Sequence, residues 1–473
     1  MVDGKVLAAR FAGAADFETR KVISGGNELE IFFLDGLTSG GDIADFIVRP
    51  LHEARQDERE ETLFTRAARG LVWCASMKEA SGTDEAAELL VNGFCVILFP
   101  KTGKALGCEV KTGEKRSPSA PEAENTVKGA KDAFTETLRT NTSLIRRHLR
   151  TPELRLEESV VGRRSLTKIT VCWVEGLTDP ELPARMKKRL GEIDIDGLLS
   201  PAAVEEYVTG SRKTAFPLLE FTERTDHFCQ GLLDGQVGLL VDGLPIGYLA
   251  PVSFGRLMRS PEDRATDYLS ASMLRILRYL ALGVSLLLPG IYAAMAMFHQ
   301  QMLPTKLLLS IIESKQDVPF STLFEVVGLL CAFELLQQAG LHLPQAIGTA
   351  VSIIGGLVVG TAAVDAKLVS PAALIVTASS GICGFTLPNR ELSDALRLWR
   401  LGLTALGGVL GLFGVTAGLL LLLIKLAGLE SLGRSYLAPF GEAEVKGALV
   451  RKRLAEQKWR DGMLRPLDER NQR

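Results

Sequence analysis

The feature that most constrains this chain is an apolar block that runs from Tyr279 to Ile424. Its first run, residues 279–298, has no charged residue, and none follows until Lys306. A helix of about 20 apolar residues crosses the roughly 30 Å hydrocarbon core of a bilayer. A soluble core can bury one such run, but not four in succession. The block therefore predicts an α-helical transmembrane bundle of about four spans, at residues 279–303, 345–364, 368–388 and 401–424.

The residues before this block have the composition of water-facing domains. The whole chain has 23% charged residues and a net charge of -2, because a charged first half is averaged with an apolar second half. A nucleic-acid binder normally presents a concentrated basic surface, so no nucleic-acid partner is expected. Residues 1–27 lack the basic and apolar regions of a signal peptide. We therefore expect the first half to be cytoplasmic.

The first half divides by pattern into two small α/β domains. Apolar runs typical of strands alternate with segments that have helical spacing. The predicted soluble segments are a flexible lead at 1–27, a first cytoplasmic α/β domain at 28–111, a linker at 112–132 and a second cytoplasmic α/β domain at 133–252. A transmembrane domain is predicted at 253–440, and a charged cytoplasmic tail at 441–473.

Residues 318–344 are apolar but contain two glutamates, and their relation to the membrane decides the topology. If they form a fifth span, the tail lies outside. If they are re-entrant or interfacial, both ends lie inside, as the arginines before residue 279 favour. Three arginines then fall in an outer loop, at positions 390, 397 and 400. The re-entrant or interfacial arrangement is our prediction, although the charges favour neither arrangement cleanly.

Small residues recur on two of the predicted spans. Ser352, Gly356 and Gly360 are four residues apart and therefore share one helix face. The last span has a second stripe, which consists of Gly407, Gly411, Gly414 and Gly418. Such faces let membrane helices approach closely. Two interpretations stay open for them: packing within one subunit, or contact between subunits around a pore.

Glu325 and Glu334 lie in a stretch that is otherwise suited to lipid. An ionisable group at membrane depth is costly, so it usually faces water, a partner or an ion path. Nine residues separate the two, which places them on opposite faces of one helix. They are candidates for an ion path or a gate, and the alternative is an interfacial helix whose glutamates reach water.

No motif in the chain indicates catalysis. The five histidines are scattered without metal-ligand spacing, and the seven cysteines include no CxxC pair. Phosphate-binding loops, nucleophile elbows and dinucleotide fingerprints are also missing from the sequence. We therefore expect no enzyme activity, no catalytic residue, no metal and no cofactor.

Several stretches resemble the A-type subunit of the GerA family of spore germination receptors. The motifs that carry the resemblance follow the family's order from about residue 30 to the tail, at 133–147, 161–164, 189–197, 234–245, 333–344, 360–364, 368–371 and 464–468. The resemblance implies a subunit of the inner spore membrane that acts with a permease-like B subunit and a lipoprotein C subunit. It also implies self-association into a homo-oligomeric ring that conducts cations when nutrient binds.

Two alternatives to a conducting receptor subunit remain. One is a membrane scaffold that anchors partner subunits and conducts nothing. The other is a paralogue of the same family, encoded with the dipicolinate-channel proteins, that modulates germination without a nutrient of its own.

Overall fold

The computed structural model describes residues 1–54, 58–111, 121, 124, 128–210, 214–342, 360–440, 445–460 and 462–471. Its first half is α/β and its second half is helical, as the sequence predicts. The first module is built on an antiparallel sheet in the order β1-β2-β4-β5-β3. Its strands are β1 Phe17–Ser24, β2 Asn27–Leu34, β3 Met77–Ala80, β4 Phe94–Phe99 and β5 Lys104–Glu109. Its helices are α1 Gly4–Arg10, α2 Gly40–Asp42, α3 Arg49–His52, α4 Glu60–Arg66 and α5 Thr83–Val91, with π-helical turns at Ile43–Val48 and Ala67–Leu71.

The prediction of a flexible lead at residues 1–27 is wrong. Helix α1 and strand β1 occupy this segment, and Phe11 is buried in the core. Strand β1 pairs with β2 along its whole length through a turn at Gly25 and Gly26, both of which have positive φ as such a tight turn requires. The sequence pattern of a strand is weak in residues 17–24 because β1 is an edge strand with mostly exposed side chains.

The second module repeats the strand order of the first. Its sheet runs β6-β7-β9-β10-β8, and all pairs are antiparallel. The strands are β6 Leu154–Val161, β7 Thr167–Val174, β8 Glu220–Thr222, β9 Val237–Val241 and β10 Gly247–Ala250. The helices are α6 Leu138–His148, α7 Glu181–Gly191, α8 Pro201–Thr209 and α9 Thr225–Asp234.

A buried ion pair joins the two modules. Arg146 on α6 donates to Asp16 of the first module through two bonds of 2.8 and 2.9 Å. Both residues are almost fully buried, at 1% and 2% exposure. Much of the predicted linker, at residues 112–120, 122–123 and 125–127, lies outside the described residues. The contact itself fixes the modules against each other.

The second half consists mainly of helices, with a short two-stranded sheet of β11 Glu430–Ser431 and β12 Arg434–Ser435. Among the described residues, three of the helices are long and apolar enough to cross a membrane. The helices are α10 Phe254–Leu257, α11 Glu262–Ala265, α12 Tyr268–Met297, α13 Thr305–Lys315, α14 Thr322–His342, α15 Gly360–Asp365, α16 Pro371–Phe385, α17 Arg390–Ala427 and α18 Val445–Leu449. The membrane-length helices are α12, α14 (over Thr322–Gly340) and α17.

The observed helices differ from the predicted spans. The first span, predicted at 279–303, begins earlier and ends at Met297. Residues 343–359 lie outside the described residues, and with them most of the span predicted at 345–364. In place of the span at 368–388, α16 has 15 residues, about 22 Å of helix. The segment predicted as re-entrant or interfacial, 318–344, contains the continuous helix α14.

Helix α17 turns back on itself at Gly411, so the span predicted at 401–424 is two antiparallel arms. Gly411 has φ 66° and ψ -151°, which is not helical. A Cβ built on Gly418 would lie 2.5 Å from the side chain of Leu403, which along a straight helix is about 22 Å away. The ammonium of Lys425 lies 5.9 Å from the ring centre of Trp399. The first arm is 390–410 and the second is 412–427.

The described part of the tail packs against the second module. The backbone N–H of Leu467 donates to the carbonyl of Leu177 at 2.8 Å, and Arg460 donates to the carbonyl of Leu233. Met463 and Leu464 are buried there. Because both ends of the hairpin lie near the second module, the chain returns to the side from which α12 leaves.

Candidate functional site within the helical bundle

Glu325, on the first turn of α14, lies against the start of α16. It accepts a hydrogen bond from the backbone N–H of Ser370, the N-cap of α16, and its carboxylate lies 3.2 Å from the ammonium of Lys315. Its side chain is completely buried. A carboxylate at a helix N-terminus is stabilised by the unpaired N–H groups and the helix dipole. Glu325 therefore connects three helices.

Glu334, nine residues further along α14, contacts the first arm of the hairpin. Its carboxylate lies 2.5 Å from the guanidinium of Arg400 and 3.3 Å from that of Arg397. Arg400 is 3% exposed, and it also donates to the hydroxyl of Ser380 on α16 at 3.4 Å. That hydroxyl donates to the carbonyl of Ser285 on α12 at 2.7 Å. These contacts form one polar chain across four helices.

Sequence reasoning missed the two arginines as partners of Glu334. It placed them in a loop, whereas both lie on the first arm of α17. Arg397 and Arg400 are three residues apart and therefore share one helix face, and this spacing is the sequence signal that could have identified them as partners of one acid. The glutamates do face different partners, as their spacing of nine predicts.

The glycines of the last predicted span lie mainly between the arms of the hairpin. A Cβ on Gly407 would lie 2.5 Å from the carbonyl oxygen of Gly290 on α12 and 2.9 Å from Val415 on the second arm. A Cβ on Gly414 would meet the backbone of Leu406 on the first arm. In this chain the stripe of Gly407, Gly414 and Gly418 allows close packing within one subunit, and Gly411 forms the turn.

The first small-residue stripe is only partly described. Ser352 and Gly356 lie outside the described residues. Gly360 begins α15, and a Cβ there would meet the side chain of Leu374 at an ordinary contact distance of 3.7 Å. The stripe's role therefore stays a prediction.

A charge cluster holds the start of α12 to the tail. Asp263 accepts from Arg275 at 2.9 Å and from Arg278 at 2.8 Å, and all three are buried. Arg451 of the tail donates to the carbonyls of Asp263 and Thr266. The membrane-proximal arginines are therefore structural groups as well as a topology signal.

A second network lies beside it in the second module. Arg256 on α10 lies 2.8 Å from Glu220 and 3.1 Å from Asp234. Burial opposes ionisation of Glu220, but the charges of Arg256 and His227 outweigh it and lower its pKa. Arg256 lowers the pKa of Asp234 against the same opposition from burial. The module keeps these groups ionised next to the membrane helices.

Comparison with known proteins identifies the family. The family model described as Bacillus/Clostridium GerA spore germination protein matches residues 5–463. The chain belongs to the GerA family. Among its relatives, spore germination protein KA of Bacillus subtilis is 34% identical over 89% of this chain and 78% of its own length. Spore germination protein A1 of the same organism is 33% identical over 76% of this chain and 74% of its own.

Two further matches extend the comparison of this GerA-family chain. The uncharacterized membrane protein YfkQ of Bacillus subtilis is 34% identical over 89% of this chain and 82% of its own length. The N-terminal domain of the A subunit of the Bacillus megaterium spore germinant receptor GerK3 aligns with 53% of this chain and 93% of its own, at 24% identity and a TM-score of 0.41. The chain is a spore germination protein of the A-subunit type with membrane-length helices.

Proposed function

We propose that this chain is the A subunit of a spore germinant receptor and a component of an oligomeric, nutrient-gated, cation-permeable channel. The observation that carries the proposal is the GerA match over residues 5–463, combined with three membrane-length helices in the same chain. Its partners are a permease-like B subunit, a lipoprotein C subunit and further copies of itself.

We assign the protein to the inner membrane of the spore, with the first half and the tail on the cytoplasmic side. The packing of the tail on the second module supports a common side for both. Arg275 and Arg278 at the start of α12 favour the cytoplasm for that side, because basic residues are concentrated there.

Ser352, Gly356 and Gly360 are the proposed subunit contact or pore lining, and Glu334 is the proposed gating residue. Two arginines balance Glu334 on the first hairpin arm. A movement of that arm would separate these charges and change the field inside the bundle. This is a physical route by which a signal from a partner subunit can reach a pore.

The test is Gly356→Leu, which should abolish nutrient-triggered release of monovalent cations from spores while the protein stays inserted. Gly402→Leu is the control, because a Cβ on Gly402 has nothing within 4 Å. Unchanged release in Gly356→Leu, or equal loss in both variants, would contradict the assignment.

A non-conducting scaffold is the second candidate, and the pairing of both glutamates favours it. Glu325 and Glu334 each have cationic partners, so neither offers an unpaired charge to an ion. Purified protein in liposomes separates the two functions, because a scaffold gives no cation flux in any oligomeric state. The same-family modulator is a third candidate. Neighbouring permease-like and lipoprotein genes would favour the receptor over it.

A further inference from the structure

Three of the seven cysteines lie together in the core of the first module. Cys95 on β4 and Cys108 on β5 are directly opposite each other in the sheet, so their side chains lie on the same face. Both are completely buried, and Cys74 packs against the same hydrophobic cluster. We call these three residues the thiol cluster. The other four cysteines lie in the second module and on the membrane helices.

Two thiols of the cluster are in direct contact. The thiol of Cys108 donates a hydrogen bond to the sulfur of Cys74. Cys108 is fixed within the sheet, because β5 is paired on both sides, with β4 and β3. Cys74 lies between the π-helical turn Ala67–Leu71 and β3, outside any helix or strand. A disulfide needs a sulfur–sulfur distance of about 2.05 Å, and the irregular segment around Cys74 can supply that approach without disturbing the sheet.

Cys74 is the member of the thiol cluster that a small oxidant can reach. It is half-buried, whereas Cys95 and Cys108 are enclosed by the core. The hydrogen bond from Cys108 lowers the pKa of Cys74, although burial and the charge of Asp42 oppose this shift. The same hydrogen bond and burial raise the pKa of Cys108. Because the thiolate is the reactive form, Cys74 is the nucleophile of the pair and Cys108 is its protonated partner.

We propose that Cys74 and Cys108 are an oxidation site at which hydrogen peroxide forms a disulfide. The Cys74 thiolate attacks one peroxide oxygen and the O–O bond breaks, which gives a sulfenic acid on Cys74 and a hydroxide. The proton that Cys74 released converts this hydroxide to water. The sulfur of Cys108 then attacks the sulfur of Cys74, the S–O bond breaks, and the hydroxyl leaves with the Cys108 proton as a second water. The two thiols lose two electrons, and the peroxide gains them.

The disulfide would close a loop that contains β3, α5 and β4. It would tie the irregular segment before β3 to the middle of the sheet, and so restrict local opening of the first module. This oxidation site lies in the soluble half and does not rest on the proposed receptor function.

Non-reducing peptide mapping by mass spectrometry tests the site on the full chain in nanodiscs, after treatment with hydrogen peroxide and alkylation of free thiols. Wild type should yield two peptides linked through Cys74 and Cys108, and a thiol reductant should separate them. Cys172 and Cys229 are the internal control, because they share one core cluster of the second module but are both buried. Their thiols should stay reduced under the same treatment.

Cys74→Ser should abolish the link, and Cys95→Ser should leave it intact. In Cys108→Ser the sulfenic acid on Cys74 has no thiol to attack it, so dimedone should trap it there. The measurement on wild type needs no substitution, so it decides the proposal even if a buried variant folds badly. Reduced Cys74 and Cys108 after peroxide treatment, a link from Cys74 to Cys95 instead, or equal oxidation of the control pair would overturn the site.

Discussion

The reversal of α17 at Gly411 predicts an unusual effect of Gly411→Ala. In a straight membrane helix, alanine is more stable than glycine by roughly 0.5–1 kcal/mol. At φ 66° and ψ -151°, however, a non-glycine residue costs about 1–3 kcal/mol of backbone strain. A Cβ there would also lie 2.7 Å from the ring of His299 and 3.2 Å from the Cβ of Phe298. We therefore expect destabilisation of about 2 kcal/mol or more.

Titration with sodium dodecyl sulfate in mixed micelles measures this change in the free energy of unfolding. Gly402→Ala is the matched control, because it lies on the first arm with open space around its Cβ position. That control should be neutral or slightly stabilising. A stabilising Gly411→Ala would refute the hairpin.

A distance measurement tests the same geometry directly. Leu398 and Ile424 lie on opposite arms and are 63% and 60% exposed, so both accept a spin label. A straight helix would separate them by about 39 Å at 1.5 Å per residue. Two packed arms, with axes 8–10 Å apart, should give a label distance of about 10–20 Å. The labels require a background in which the seven native cysteines are replaced, and a distance near 39 Å would reject the fold of α17.

Three further predictions concern the soluble modules and the tail. Asp16→Ala should destabilise the full chain by about 3–5 kcal/mol in chemical unfolding, because it leaves Arg146 buried without its charge partner. Asp84→Ala is the control: it removes the exposed ion pair with Arg10 and should change the free energy of unfolding little. Asp132 raises the pKa of His148, so the pair stabilises the fold below the unfolded pKa of histidine and loses this effect as pH rises through the folded pKa. His148→Gln should therefore reduce the fall in melting temperature that accompanies a rise in pH through the folded pKa of His148, and an unchanged dependence on pH would count against the pair. His148 in turn lowers the pKa of Asp132 to about 2, so acid weakens the pair only well below pH 4. Arg451→Ala should speed hydrogen exchange in the described residues 445–460 and 462–471, because it removes the bonds to Asp263 and Thr266. The exposed Lys452→Ala is the control and should not change the exchange; equal exchange in both variants would show that Arg451 does not hold the tail.

Local pattern predicted much of the soluble half. The hairpin of β4 and β5 turns around Lys101 to Gly103, a short glycine-containing stretch that is typical of a turn. Helix α8 begins at Ser200 and Pro201, a pair typical of a helix start, and the serine side chain accepts from a backbone N–H of the first turn. Such turns and helix starts depend on a few adjacent residues, so they can be predicted from the sequence without knowledge of tertiary contacts. Strand β1 could not be predicted from the sequence because it lies at the edge of the sheet and most of its side chains are exposed.

The apolar runs by themselves determined that the second half contains membrane-length helices, because a helix satisfies its backbone polar groups internally when lipid surrounds it. The tertiary structure decided how those helices connect. A hairpin and a straight helix share the same 3.6-residue period, so only the contacts of Gly411, Gly414 and Gly418 reveal the reversal. Glu334 and Arg400 are far apart in sequence, and their pairing depends on which helix faces meet. Sequence determines which groups are costly to bury, and packing determines which partner offsets that cost.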